Sequence, residues 1–354
     1  MTFRSSSSIT HALTSTGLSR RHFLALSGAA AASAATWSAG RSVSAAQVNA
    51  PDTLNMDYAY YNPSSLVLKR YGWIEELLPD NEVTWTLSAG SNKGNEFVRS
   101  DVVHFGSTAG VAALLGRANG TDQHTVYMYS QPEWTALVVT ADSDITKVEQ
   151  LKGKKVAATK GTDPYFFLLQ SLHEFGLEQS DVQVVNLQHN DGKVALERGD
   201  VDAWSGLDPH MAQTELEQGS VLFYRNIDFN TWGALNAKAE FIDEYPDLVT
   251  LVLTQYERAR HWILENPDEA AKILSEEASL SIEVANKELV DRTNLEISPV
   301  PGATQQAEVL ANIIPMMEEE NQFTPGADPY ESLDTLYRTE FITAALEAEA
   351  TPTS

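Results

Sequence analysis

The sequence predicts an α/β fold built from two α/β lobes that are joined by two crossings and enclose a cleft. Strand-like and helix-like segments alternate from Thr53 to Asn236, which is typical of βαβ construction. Apolar strands run into turns rich in Gly, Ser and Thr, and helices follow those turns. The chain of 354 residues is also longer than a domain with a single hydrophobic core usually is. Ligands of such folds bind at the carboxyl ends of strands.

Lobe I is predicted over residues 52–139 and 232–346. Its first elements are a strand at Leu54–Ala59, a helix from Ser64 to about Gly72 and a strand at Glu82–Ser88. From residue 240 onward strand patterns vanish, and the chain is predicted to be helical and to pack against lobe I.

Lobe II is predicted over residues 140–231. Its strands are expected at 154–158, 182–188 and 201–204, and its helices at 164–175, 192–198 and 209–217. The chain enters and leaves this lobe once, so the two crossings form a hinge.

Two junctions share one pattern that suits an anion. Val102–Phe105 leads into Gly106–Gly110, and Lys155–Ala158 leads into Thr159–Asp163. A helix that starts directly after such a strand leaves its first N–H groups unpaired, and glycine lets a ligand approach the backbone. We therefore expect two anion seats, one from each lobe, at a shared cleft.

The N-terminus reads as a twin-arginine export signal over residues 1–46. It has Arg20-Arg21 before a weakly apolar run rich in Ala and Ser, and the first 51 residues contain no acid. The run is shorter than the ~20 residues that a membrane span needs. Cleavage is expected near Ala46 or Gln47, which would place the mature chain in the periplasm.

Composition limits the partners of the mature chain. Cleavage would leave 20 basic residues against 49 acidic ones, a net charge of −29, which argues against nucleic acid and anionic membranes. The absence of Cys excludes disulfides, thiolate metal sites and a lipidated cysteine anchor. We expect a free monomer without a cofactor.

Several motifs together resemble one family of proteins. They are Asn62–Leu68, Ser88–Lys93, Phe105–Gly110, Pro132–Leu137, Thr159–Tyr165 and Asp202–Pro209. In these motifs the chain resembles the substrate-binding proteins of ABC importers for aliphatic sulfonates, within the nitrate/sulfonate/taurine group. The resemblance runs from about Thr53 to about Leu346.

That resemblance implies a type II periplasmic-binding-protein-like fold that closes on its ligand. It implies a receptor that captures a small organic anion and delivers it to a membrane permease with a separate ATPase. Taurine, nitrate, bicarbonate and a thiamine-pyrimidine-like heterocycle remain alternative ligands. The candidate ligand-binding residues are Tyr61, Asn62, Ser91, Asn92, Ser107, Thr108, Trp134, Gly161, Thr162, Asp163, His189, Trp204 and Asp208.

Several of these assignments have alternatives. Asp163 and Asp208 each precede a proline, so each carboxylate is expected either to cap its own helix or to pair with an ammonium group on a zwitterionic ligand. His189 faces either the cleft or a surface turn. Trp residues at strand ends either line the cleft or pack in the core.

An enzyme is the competing class, because the fold also resembles that of thiamine-pyrimidine synthases. The sequence has no His-x-x-x-His or Glu-x-x-His pair and no Gly-x-Ser-x-Gly motif. It also lacks the phosphate-binding GxxxxGK[ST] loop, so the chain itself is not expected to hydrolyse ATP. We expect a binding protein.

Overall fold

The structure is a computed structural model that describes residues 48–302 and 304–350. The predicted export signal and its cleavage site lie outside the described residues. No described helix is both long enough and apolar enough to cross a membrane.

The strands are short and form separate sheets. Their bounds are β1 Thr53–Tyr58, β2 Glu82–Leu87, β3 Gly106–Ala109, β4 Gln123–Pro132, β5 Leu137–Val139, β6 Lys155–Ala158, β7 Gln183–Asn186, β8 Ala203–Ser205, β9 Val221–Tyr224, β10 Gly233–Lys238 and β11 Thr293–Asn294.

Helices follow most of these strands, and a helical region closes the chain. Their bounds are α1 Pro63–Tyr71, α2 Trp73–Leu77, α3 Ser91–Arg99, α4 Gly110–Ala118, α5 Asp163–Glu174, α6 His189–Arg198, α7 His210–Gln218, α8 Ala239–Glu244, α9 Pro246–Glu265, α10 Pro267–Ala278, α11 Ile282–Asn286, α12 Thr304–Glu319, α13 Pro329–Asp334 and α14 Glu340–Ala350.

The sheet topology separates the strands into two sets. β1 pairs in parallel with β2, and the order β11-β4-β10-β3 forms a four-stranded antiparallel sheet. A bridge between Met56 and Phe105 links β1 to the segment before β3. The second set has the order β7-β6-β8-β5-β9, with β6 parallel to both neighbours. We keep the names lobe I and lobe II for the elements around these two sets.

The strand β5 joins the sheet of lobe II, although lobe I was predicted to extend to residue 139. Its residues pair with β8 and β9. The first crossing therefore lies before Leu137, and the second lies just before Gly233.

The strand β3 differs most from the sequence prediction. Val102–Phe105 was expected as the strand, but the strand is Gly106–Ala109, and Val102 is 44% exposed. A Cβ atom at Gly106 would lie 2.4 Å from Cγ2 of Val98, and one at Gly94 would lie 2.4 Å from the carbonyl oxygen of Ser107. Glycine is needed at both positions because α3 packs directly on β3.

The main core of lobe I lies between its sheets and the long helix α9. Leu248, Val252, Tyr256, Ala259 and Ile263, which recur at helical spacing, are all buried along one face of α9. Sequence reasoning missed β11, because the chain was expected to be helical without strands from residue 240 onward. A single π-helical turn at Lys287–Asp291 follows α11.

Candidate ligand-binding cleft

A small cavity lies where elements of both lobes meet. Its walls carry Tyr61, Ser91 and Ala109 from lobe I and Thr162, Asp163, Pro164 and Leu207 from lobe II, with Trp134 from the first crossing. Five of the thirteen predicted ligand-binding residues are therefore brought together here.

The aromatic wall of the cavity is formed by Tyr61 and Trp134. Their rings meet edge to face with centroids 5.9 Å apart, and both side chains are largely buried. The Tyr61 hydroxyl donates to the carbonyl oxygen of Ser107 at 3.1 Å. This wall offers apolar surface to the organic part of a ligand.

The helices α3 and α5 begin at this cavity. The backbone N–H groups of Ser91, Asn92, Thr162 and Asp163 have no protein acceptor within the described part of the chain. The hydroxyl oxygen of Ser91 accepts from the N–H of Ala109 at 2.9 Å, and the hydroxyl group of Thr162 donates to the carbonyl oxygen of Thr159 at 2.7 Å. Unpaired N–H groups and two helix dipoles are thus directed at one place.

Ser107 does not contribute to this set of free donors. Its N–H and hydroxyl donate to the carboxylate of Asp57 at 2.6 and 2.8 Å, and its hydroxyl oxygen accepts from Nδ2 of Asn62 at 2.8 Å. All three side chains are fully buried. Burial raises the pKa of Asp57 to about 6, against the lowering effect of these hydrogen bonds. An internal carboxylate therefore occupies the position expected for an external anion.

Thr108 and the start of α4 are also occupied by the protein. Oγ1 of Thr108 accepts from Nδ2 of Asn236 at 2.8 Å. The N–H of Gly110 donates to the carbonyl oxygen of Trp232 at 2.9 Å, and the N–H of Val111 donates to Oγ1 of Thr231 at 3.2 Å. The expected anion seat at Gly106–Gly110 is a contact with the second crossing instead.

Asp163 ties both crossings to lobe II. Its carboxylate accepts from Nε1 of Trp134 at 2.6 Å and from the N–H and hydroxyl of Thr231 at 2.8 and 2.7 Å. The helix begins at Asp163 with Thr162 as N-cap residue, so the expectation that Asp163 caps its helix is wrong. Burial raises its pKa to about 6. Three donors from the two crossings thus occupy this carboxylate.

Asp208 is held by a buried arginine and by its own helix. Its carboxylate accepts from the N–H of Ala212 at 2.8 Å, so it does serve a helix N-terminus. Nη1 of Arg292 donates to both carboxylate oxygens at 3.1 Å, and Nη2 of Arg292 pairs with Glu215. The Asp208–Pro209 peptide bond is cis. Asp208 is thereby committed to a contact between α7 and the segment before β11.

Asn92, Gly161 and His189 lie beside the cavity, where α3 faces lobe II. A Cβ atom at Gly161 would lie 3.9 Å from Cβ of Asn92. A Cβ atom at Gly90 would lie 2.8 Å from Nε2 of His189 and 2.9 Å from Oδ1 of Asn92. His189 is the first residue of α6, which begins three residues earlier than expected, and it is buried rather than part of a surface turn.

Two predicted residues have other roles. Trp204 is fully buried in a lobe II core cluster, where a Cβ atom at Gly192 would lie 2.7 Å from its Nε1, so it packs in the core rather than lining the cleft. Asn62 caps α1 through Oδ1, which accepts from the N–H of Ser65 at 3.3 Å, and contacts Ser107.

Sequence reasoning missed Asp57, Thr231 and Leu207. Leu207 follows a buried strand, and Asp57 is an acid within one, which is a signal of a paired or functional carboxylate. Thr231 gave no signal, because its partners Asp163 and Val111 are distant in sequence.

Comparisons with known proteins place the chain in a family. A family model described as NMT1/THI5 like matches residues 82–270, more than half of the chain. The chain belongs to this family. Its fold is that of the periplasmic binding proteins, because solved structures of such proteins are similar to it over most of their length.

A protein named as a putative aliphatic sulfonates-binding protein from Escherichia coli K12 is 25% identical over 71% of this chain and 80% of its own length. The alkanesulfonate-binding protein SsuA from Xanthomonas axonopodis pv. citri, solved with MOPS bound, has a TM-score of 0.73 at 20% identity and covers 80% of this chain and 98% of its own. The nitrate-binding protein NrtA from Synechocystis PCC 6803 has a TM-score of 0.72 at 13% identity, with 86% and 91% covered.

Proposed function

We propose that this protein is a periplasmic receptor of an ABC importer that captures an aliphatic sulfonate in the cleft and delivers it to a membrane permease. The single observation that carries the proposal is the meeting of the starts of α3 and α5 at one cavity whose other wall is aromatic. The relatives named for sulfonate binding support the same class of ligand.

The chemistry of the cleft suits a sulfonate. A sulfonate is ionised at any physiological pH and has three acceptor oxygens, so it needs several convergent donors. The free N–H groups of Ser91, Asn92, Thr162 and Asp163 supply such donors from both lobes. Tyr61 and Trp134 are placed to contact the alkyl group. The ligand is held by neutral donors and helix dipoles, and binding involves no covalent step.

The hinge is built around Asp163. Trp134 belongs to the first crossing and Thr231 to the second, and both donate to this carboxylate. Closure of the two lobes would bring the starts of α3 and α5 onto one anion, so the ligand stabilises the closed form by binding it more tightly than the open form.

Calorimetric titration of the purified mature chain tests the proposal. Ethanesulfonate and longer alkanesulfonates should bind with a 1:1 stoichiometry, and mass spectrometry should recover them unchanged. Nitrate and bicarbonate, which lack an alkyl group, should bind more weakly by about tenfold or more, since they leave the aromatic wall uncovered. Tighter binding of nitrate, or chemical turnover of a sulfonate, would contradict the proposal.

A further inference from the structure

A buried arginine joins the two lobes beside the cleft. The side chain of Arg292, which lies between the π-helical turn and β11 in lobe I, is only 3% exposed. Its Nη1 donates to both carboxylate oxygens of Asp208 at 3.1 Å, and its Nη2 pairs with Glu215. Nζ of Lys287 lies 3.5 Å from Oε1 of Glu215. Since Asp208 and Glu215 belong to lobe II, these ion pairs cross from one lobe to the other.

The backbone around Arg292 is fixed to lobe I and to the first crossing. Thr293 and Asn294 form β11, which pairs with the end of β4. The carbonyl oxygen of Arg292 accepts from the N–H of Glu133 at 2.7 Å. Segment 287–294 is therefore held by lobe I, while its two cationic side chains contact lobe II.

The same contact positions part of the cavity wall. The N–H of Asp208 donates to the carbonyl oxygen of Trp134 at 3.0 Å, and Asp208 directly follows Leu207. Trp134 and Leu207 both line the cavity. Arg292 is not part of the cavity wall that the described residues form, so it acts on a ligand only through the residues that it holds.

Separation of the lobes would change the surroundings of these charges. Rotation of lobe II about the two crossings would move α7 away from segment 287–294 and admit water between them. Burial raises the pKa of Asp208, and the positive charge of Arg292 opposes that rise. A buried carboxylate without its countercharge is strongly unfavourable, whereas a hydrated one is not. Arg292 therefore stabilises the closed arrangement relative to the open one.

We propose that Arg292 is a positioning residue for ligand capture, because its ion pairs across the two lobes stabilise the closed form that binds the sulfonate. The apparent affinity of a receptor falls with the fraction of its molecules that are in the binding-competent form. The inference rests on the proposed sulfonate-receptor function and assigns part of the affinity to a contact that the ligand does not touch.

Arg292→Met tests this, because methionine keeps an unbranched side chain and removes the charge. We expect calorimetry to give about tenfold weaker binding of ethanesulfonate and of longer alkanesulfonates alike. The loss should lie mostly in faster dissociation, measured by stopped-flow mixing, because the ligand leaves when the lobes open. Unchanged affinity in folded Arg292→Met protein would overturn the proposal, and so would a loss that grows with alkyl-chain length. Failure of every sulfonate to bind the unmodified protein would overturn the receptor function as well.

The matched control is Arg260→Met. Arg260 is also buried, but its partners Glu257 and Leu295 belong to lobe I, as it does. Its loss leaves Glu257 without a countercharge in the open and closed forms alike. Thermal denaturation should therefore show a loss of stability, while the affinity for ethanesulfonate stays within about twofold. Equal losses of affinity in the two variants would overturn the specific role of Arg292.

A second substitution separates the effect of charge from that of packing. Added to Arg292→Met, Asp208→Asn removes the carboxylate charge and keeps an oxygen that can accept from the N–H of Ala212. The double variant should therefore bind ethanesulfonate more tightly than Arg292→Met alone, and no recovery would overturn the electrostatic role of the pair. If Arg292→Met fails to fold, Glu215→Met at a partly exposed position decides instead. It should weaken binding by about two- to threefold, and unchanged affinity would overturn the proposal.

Discussion

Three helix starts in this molecule follow similar sequence patterns but differ in what they bind. At the start of α4, the protein supplies its own acceptors, since Trp232 and Thr231 accept from the first two N–H groups of the helix. In the strand before it, Asp57 accepts from the N–H of Ser107. At the starts of α3 and α5, the first N–H groups face a cavity. A strand followed by Gly and Ser or Thr therefore indicates free backbone donors, but the tertiary structure decides whether the acceptor is internal or a ligand.

The largest effect is expected at the carboxylate of Asp163, which connects the starts of α4 and α5 through Thr231. It accepts from Nε1 of Trp134 and from the N–H and hydroxyl of Thr231, so Asp163→Ala leaves three buried donors without an acceptor. We expect a loss of roughly 3–5 kcal/mol in the free energy of unfolding, measured by urea denaturation. The exposed Asp142→Ala is the matched control. Similar stability of the two variants would show that the hinge network is dispensable.

The internal anion at the α4 side should be visible in the pH dependence of stability. The pKa of Asp57 is about 6 in the folded protein and 3.8 ordinarily, so ionisation of Asp57 lowers stability as the pH rises from about 4 through about 6. The stability of Asp57→Asn relative to the unmodified protein should therefore increase by up to about 2–3 kcal/mol between pH 4 and pH 7. Denaturation curves across this range measure it.

The exposed Asp80→Asn serves as the control for that experiment, and its stability relative to the unmodified protein should stay flat with pH. A flat difference for Asp57→Asn as well would mean that Asp57 is not a buried anion in solution.

The comparison predicts opposite phenotypes for two serines. Ser107→Ala removes a hydroxyl that donates to Asp57 and accepts from Asn62, so it should cost about 2 kcal/mol of stability. Sulfonate affinity of the folded protein should change by no more than about twofold, because Ser107 does not line the cavity. A stable Ser107→Ala protein that binds sulfonates weakly would contradict this prediction and show that the Gly106–Gly110 turn binds the anion, as the sequence pattern indicates. Ser100→Ala, on an exposed helix end, is the control for stability.

Ser91→Ala should show the smaller and reversed effect. Ser91 lines the cavity, and its hydroxyl oxygen accepts from the N–H of Ala109. We expect about a three- to tenfold weaker sulfonate affinity and a stability loss of about 1 kcal/mol, measured by calorimetry and thermal denaturation. Unchanged affinity would remove the start of α3 from the site.

Sequence reasoning worked where the signal is local. The apolar strand β6 with its glycine turn, and the capped helix α1 that ends at Gly72 with φ of 66°, were predicted within a residue. It failed at β3, where the strand is made of small residues because α3 packs tightly on it, and an exposed Val102 in the preceding segment looked like the strand.

The candidate site was predictable only in part for the same reason. Tyr61, Ser91, Trp134 and Thr162 line the cavity as expected, since each lies at a strand end or helix start. The commitment of Asp163 to Thr231 depends on a pairing 68 residues apart that no local pattern encodes. Local patterns thus indicate which groups are available, and only the fold shows which of them the protein uses itself.

Amide hydrogen exchange measured with and without ethanesulfonate tests the central claim most directly. The sulfonate should slow exchange at the first N–H groups of α3 and α5, including Ser91, Asn92, Thr162 and Asp163. Exchange at Gly110 and Val111 should stay unchanged, because those N–H groups are already bonded to the second crossing. Protection at the start of α4, with none at α3 and α5, would contradict the account.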